Sequence, residues 1–184
     1  MNNAQISNIL LNHSPSEVSL AYRGTMHMDT FLRECKERIQ AWEPNLFIIN
    51  TEMSTSKQLG HWLLVQIELK RVLFFDSYGK NPHYYSEEFN TLLHQVGTGV
   101  LEVAPFKIQS SSSKLCGMFC LFIAFNCIDE RNVEELIKRY FSSEDFIRNE
   151  HFLMDWARSS SFSHLLRSAC PISDSECIEY GRLM

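Results

Sequence analysis

The sequence has no apolar run near the roughly 20 residues needed to cross a bilayer, so it offers no membrane segment. It has no surplus of positive charge. Seventeen Lys and Arg stand against 22 Asp and Glu, and the resulting net charge of −5 gives no electrostatic case for nucleic acid as an obligatory partner. The start, MNNAQISNILLNHS, lacks the basic opening and long apolar stretch of a secretory signal. The cysteines, at positions 35, 116, 120, 127, 170 and 177, include no CxxC pair and no regular framework. That removes the spacing of a zinc finger, and without an export signal it implies reduced thiols in an intracellular setting. No segment repeats, and no break in composition marks a second domain. What is left is 184 residues, 45% hydrophobic, enough for one domain with a proper core.

Hydrophobic spacing divides the chain into short elements. Ile6, Ile9 and Leu10 suit an amphipathic helix over residues 4–11, broken by Ser14-Pro15-Ser16, and Tyr22-Arg23-Gly24-Thr25 reads as a turn. Asp29 is the expected N-cap of a helix running to about Trp42, with Phe31, Leu32, Cys35, Ile39 and Trp42 as its apolar stripe. Leu46 to Asn50 reads as a buried strand. The runs HWLLVQIE (61–68) and RVLFFD (71–76) are separated only by Leu69-Lys70, which predicts an antiparallel hairpin with Glu68 opposite Arg71 and Leu63 opposite Asp76. In that register His61 and Asp76 share one face as diagonal neighbours; a loop one residue longer or shorter would separate them. A helix capped by Ser86, a strand over 100–104, and helices over 132–140 and 144–157 follow, the last with Phe146, Ile147, Phe152, Leu153 and Trp156 on its apolar side. Residues 158–184 read as a loosely held tail. This order predicts an α+β fold with segregated parts.

The chain is organised around QSSSSKLCGMFC, Gln109 to Cys120. A polar serine run ends at Cys116-Gly117, and an apolar segment long enough for a core helix begins there. Cys116 therefore sits at a helix start, where unpaired backbone N–H groups and the helix dipole favour a thiolate. Gly117 leaves room beside the sulfur for the backbone of a substrate. The alternative is that Cys116, Cys120 and Cys127 are small core residues on one helix.

A nucleophilic thiol needs a base, a group to orient that base, and donors for the oxyanion formed on the attacked carbonyl. His61 suits the first role, Asp76 the second, and the Gln109 side-chain amide with the Cys116 backbone N–H the third.

Gly60-His61-Trp62, Phe74 to Gly79 (FFDSYG) and the Q-x6-CGMFC segment together resemble the adenovirus-type cysteine proteases, the adenain family, of the same clan as the SUMO and ubiquitin-like protein proteases. Ile49-Asn50-Thr51 and Gly24-Thr25 are also similar to that family. The resemblance implies an adenain/SUMO-protease-like fold: a small, mostly antiparallel sheet, a core helix bearing the nucleophile, and flanking helices. It implies a cysteine endopeptidase of an adenovirus-like virus or a Polinton-type element, acting in the host nucleus and virion on viral structural precursor proteins at small, Gly-containing sites. By resemblance His61 is the base, Asp76 the acid, Gln109 the oxyanion donor and Cys116 the nucleophile, with Gly60, Trp62 and Gly117 on the substrate side.

Two departures bear on cofactors. Where the adenovirus enzyme tethers an activating peptide by disulfide, this chain has Thr98-Gly99-Val100 and no cysteine; and that enzyme is basic and uses DNA, whereas this chain is acidic. No cofactor is expected, and neither a peptide nor a DNA activator is implied by these residues. The acid is Asp, as in the SUMO-protease branch, which keeps removal of ubiquitin-like modifiers as an alternative. An acetyltransferase with the same residues and a catalytically dead scaffold remain the other readings.

Overall fold

A computed structural model of the chain describes residues 1–166 except 41, 57, 59, 98, 105 and 128–131. Five strands stand side by side in chain order: β1 (Tyr22–His27), β2 (Asn45–Asn50), β3 (Trp62–Glu68), β4 (Arg71–Phe75) and β5 (Val100–Val103). β2/β3 and β3/β4 pair antiparallel, whereas β1/β2 and β4/β5 pair parallel. The fold is α+β as expected, with an evenly mixed sheet in place of a mostly antiparallel one. The difference comes from the two edges, each reached by a helical crossover that returns the chain in the same direction.

The β3–β4 hairpin has the expected register, Glu68 opposite Arg71 through to Leu64 opposite Phe75. Because side chains alternate, the sheet has two apolar faces. Leu46, Ile48, Leu64, Leu73 and Phe75 pack with α5 (Cys116–Cys127) and with residues of α1 (Asn3–Asn12), α6 (Val133–Tyr140) and α7 (Phe146–Ser159). Phe47, Ile49, Leu63, Val65, Val72 and Phe74 pack with α3 (Met28–Arg38) and α4 (Glu87–Val96). With helices over both faces, β2 and β3 are buried along nearly their whole length, which is why they read as continuous apolar runs. α5 is likewise apolar all round, since it lies between the sheet and the outer helices.

Several local expectations give way to tertiary contacts. Residues 22–25 belong to strand β1 and not to a turn; Gly24, at φ 150°, takes up a register shift against β2 that a side chain would resist. A further short helix, α2 (Ser16–Ala21), precedes it. α3 stops at Arg38, four residues before the expected Trp42, because the Asn45 side chain ties Gln40 and Glu43 into the connection: it accepts from the Gln40 amide at 2.7 Å and donates to the Gln40 and Glu43 carbonyls at 3.0 and 2.8 Å. Trp42 is consequently exposed, not part of the stripe. His27 takes the N-cap position expected for Asp29, whose carboxylate instead accepts from the Ser54 amide and hydroxyl at 3.0 and 2.6 Å. On α7, Ile147 is exposed and the inward side runs through Asn149, Leu153 and Ala157. The segment after 157 is held down as far as it is described: α8 (Ser163–Leu166) follows a fully buried Phe162. The rest of the expected tail, with Cys170 and Cys177, lies outside the described residues.

Candidate active site

His61 immediately precedes β3 and Asp76 immediately follows β4, so the antiparallel pairing brings both to the same end of the sheet. The His61 backbone is clamped to the residue after β2: its N–H donates to Thr51 Oγ1 and its carbonyl accepts from the Thr51 amide, both at 2.9 Å. Gly60 is held tightly behind it. A Cβ there would fall 1.9 Å from Asn50 Oδ1, an atom that already accepts from the Glu52 amide.

The imidazole Nε2 lies 2.5 Å from Asp76 Oδ1. Asp76 is fully buried, and its two oxygens also accept from the Tyr78 and Lys80 amides at 2.9 Å and from the Tyr85 hydroxyl at 2.8 Å. A carboxylate so placed cannot rotate, so it fixes both the plane of the ring and the nitrogen that faces it. Burial alone would raise the Asp76 pKa, but the bond to His61, that residue's charge, and the Tyr78 and Tyr85 donors hold it below the usual carboxylate value. The Tyr85 hydroxyl is pushed the other way, by burial first and then by the Asp76 charge, so it stays a donor.

Cys116 is the other ionisable group that acts on the ring, and each shifts the pKa of the other. With Nε2 engaged by the carboxylate, Nδ1 is the nitrogen left for sulfur. α5 opens on Cys116, its first turn closed by the Leu115 carbonyl, which accepts from Met118 and Phe119 at 2.8 and 3.0 Å. Burial pushes the thiol pKa up. The His61 hydrogen bond and charge, helped by the Trp62 and Gly117 backbone N–H groups, outweigh it and bring Cys116 below the ordinary thiol value. Burial works against the imidazolium as well, yet Asp76 and Cys116 lift His61 to about 9. Both shifts favour the imidazolium–thiolate form of the pair.

Cys35 and Cys120 have no such surroundings. Burial lifts Cys35 to about 11, and burial, reinforced by the negative charge of Cys116 and Asp76, lifts Cys120 well above the ordinary value. Cys120 donates to the Trp62 carbonyl at 3.4 Å. Cys120 and Cys127 have the core role weighed against catalysis for α5, and Cys35 is a core residue of α3.

The molecule can now be set beside known structures. No family model matches the sequence, and no curated protein sequence matches it. Among solved structures it is similar to the ASFV pS273R protease, with a TM-score of 0.51 and 12% sequence identity over 82% of this chain. The fold is shared with a protease. The match takes in 65% of that protease's chain, so this chain spans a little under two thirds of its length.

Of the other expected residues, Gln109 is fully buried beside Asp76's neighbour: its Oε1 accepts from the Ser77 hydroxyl at 2.5 Å and its Nε2 donates to the Ser113 carbonyl at 2.9 Å. Gly117 and Trp62 are buried against each other. A Cβ on Gly117 would come within 3.2 Å of Trp62 Cδ1 and 3.5 Å of Met1 Sδ, so the space at Gly117 is bounded by an indole and a thioether. Among the described residues no group of three or more His, Cys, Asp or Glu side chains is placed to hold a metal ion, and no helix is long and apolar enough to cross a membrane.

Sequence reasoning assigned no role to Thr51, Ser77, Tyr78 or Tyr85. Tyr78 stacks on the His61 ring at 4.3 Å between centroids and 21° between planes, and Tyr85 lies nearly parallel to the same ring at 6.4 Å. Ser77 and Tyr78 lie inside FFDSYG, so proximity to the acid was a usable signal. Tyr85 follows a 3-10 turn, Pro82–Tyr84, and only that turn's placement brings its hydroxyl back to Asp76.

Proposed function

We propose that this protein is a cysteine endopeptidase that cuts viral structural precursor proteins at small, Gly-containing sites. The observation that carries the reading is the hydrogen bond that sets His61 against the buried Asp76, with Cys116 at a helix start where the imidazole lowers its thiol pKa. The fold shared with a protease supports it.

In this mechanism the Cys116 thiolate adds to the scissile carbonyl carbon, forming the C–S bond and placing the electron pair on oxygen. The Gln109 amide and the Cys116 backbone N–H donate to that oxyanion. As the oxyanion collapses, the C–N bond breaks and the His61 imidazolium gives its proton to the departing amine. The neutral ring then takes a proton from water as the hydroxide adds to the thioester carbonyl, and collapse of that adduct breaks the C–S bond, releasing the carboxylic acid product and leaving the Cys116 thiolate beside the His61 imidazolium. Asp76 keeps the ring oriented and stabilises its charge throughout. No metal or organic cofactor enters. On this reading the protein acts in the host nucleus and in the virion.

A second reading, removal of ubiquitin-like modifiers, is favoured by one observation: the group that holds the imidazole is Asp76, the acid found in the SUMO-protease branch of the resemblance. One experiment separates them. Purified protein and its Cys116→Ala variant are incubated with precursor peptides containing internal Gly sites and with C-terminal fusions of ubiquitin-like proteins. Cleavage of the peptides by the parent alone supports the endopeptidase; cleavage confined to the fusions moves the assignment to the second reading. Equal products from parent and variant remove Cys116, and the proposal with it.

A further inference from the structure

The residue after the acid holds three bonds to the segment that carries the oxyanion donor. The Ser77 carbonyl accepts from the Ile108 and Gln109 amides at 2.9 and 3.1 Å, and its hydroxyl donates to Gln109 Oε1 at 2.5 Å. Both side chains are fully buried, so water does not compete for these groups. A primary amide is nearly symmetric in shape, and only its partners decide which end is oxygen. Here the Ser113 carbonyl, which can only accept, takes one Nε2 hydrogen, while the Ser77 hydroxyl donates to the oxygen. With one hydrogen used and the oxygen anchored, the second Nε2 hydrogen has no acceptor among the described residues.

We propose that Ser77 is a positioning residue: its hydroxyl locks the Gln109 carboxamide so that the free Nε2–H is presented to the developing oxyanion. The inference rests on the reading of Gln109 as oxyanion donor. Ser77 also links the two halves of the site covalently, since Asp76 orients the base and the adjoining Ser77 orients the donor. A shift of one member of the dipeptide therefore moves both ends of the reaction together. Without the hydroxyl, Gln109 Oε1 is buried without a donor and the amide turns to find one, which takes the N–H out of line.

The test is a double-mutant cycle with two readouts. Steady-state turnover of a peptide bearing Gly-Gly ahead of an aminocoumarin leaving group reports the step that forms an oxyanion. Alkylation of Cys116 by iodoacetamide forms none and reports only the thiolate–imidazolium pair. Removing one oxyanion donor lowers kcat by about 10²- to 10³-fold, the expectation for Gln109→Ala. Losing one hydrogen bond that holds the donor lowers kcat by about tenfold for Ser77→Ala, with KM unchanged. Alkylation of Cys116 in Ser77→Ala stays within about twofold of the parent, and Ser77→Ala/Gln109→Ala is no slower than Gln109→Ala alone. Ser77→Thr, which keeps the hydroxyl, recovers part of the lost turnover.

Three results overturn the inference. They are full turnover in Ser77→Ala, alkylation that falls in step with turnover, and single-variant losses that multiply in the double variant. Full turnover in Gln109→Ala removes the donor reading on which the inference stands. Slow Gln109→Ala with fast Ser77→Ala leaves that reading in place and removes the inference alone.

Discussion

His61 Nε2 sits 2.5 Å from Asp76 Oδ1, although fifteen residues separate them in the chain. The contact is a consequence of hairpin register. With Leu69-Lys70 as the turn, the pairing that sets Glu68 opposite Arg71 carries the two residues to the same end and the same face. The remaining donors to Asp76, the Tyr78 and Lys80 amides and the Tyr85 hydroxyl, fill its lone pairs, so the carboxylate is a rigid stop against which the ring is set.

Replacing that stop by its amide tests it. Asp76→Asn offers one acceptor oxygen and an NH2 group with two donor hydrogens where every neighbour is a donor, so the imidazole loses its tautomer and its charge partner. The expected outcome is a fall in kcat of roughly 10²- to 10⁴-fold with the fold retained. Steady-state kinetics alongside a far-UV spectrum decide it; an unchanged rate takes Asp76 out of the site.

Turnover should depend on pH as an ion pair does. His61 is lifted above its ordinary 6.5 to about 9, so the stability its proton contributes is complete below 6.5 and lost as pH rises through about 9. Cys116 is displaced in the opposite sense, below its ordinary 9.0: the stability from its thiolate is complete above 9.0 and lost as pH falls through the lowered value. Activity then forms a bell with its alkaline limb near 9. Cys116→Ala removes one of the two partners that raise His61, so the ring titration followed by NMR moves down in that variant. A titration that stays where it was sinks the ion pair.

The thiols should differ sharply in reactivity. At neutral pH, limiting iodoacetamide labels Cys116 ahead of Cys35 and Cys120, because of these three Cys116 alone has its thiolate favoured by its surroundings. Peptide mapping by mass spectrometry reads the order directly. Labelling of Cys35 at the same rate contradicts the site.

The platform behind the nucleophile can be weakened without touching the chemistry. Phe122 on α5 meets Tyr140, Phe141, Phe152 and Trp156 at ring distances of 5.1 to 5.3 Å. Phe122→Ala should cost about 3–5 kcal/mol, from lost burial and the cavity left behind. Thermal unfolding measures it, and a loss under about 1 kcal/mol would mean that α6 and α7 close over the gap. Below the transition, Cys116 should still label first.

Where sequence reading succeeded, the governing interactions were short in range or strongly periodic. The hairpin followed from two β-rich runs and a two-residue gap, α4 from Ser86 and its glutamates, and the start of α5 from the change at Cys116. It failed where a distant partner decided. Nothing in Tyr22-Arg23-Gly24-Thr25 announces a strand; those residues become one because β2 offers a free edge, and Gly24 absorbs the misfit. The end of α3 was lost for the same reason, since the Asn45 side chain, not a local breaker, closes the connection.

The candidate site divides along that line. His61, Asp76, Gln109 and Cys116 were named from residue type, order and spacing, because chemistry restricts which side chains can serve as base, acid, donor and nucleophile. Their support was out of reach. The Ser77 bond to Gln109, the Tyr78 ring on His61 and the Tyr85 hydroxyl on Asp76 depend on how a loop, a strand end and a 3-10 turn are packed together. The chain's composition and motifs determined an α+β fold and named the candidate groups of its site. Only the packed structure decided which charge states are favoured, since the depressed thiol and raised imidazole arise, against the effect of burial, from neighbours that the linear order does not bring together.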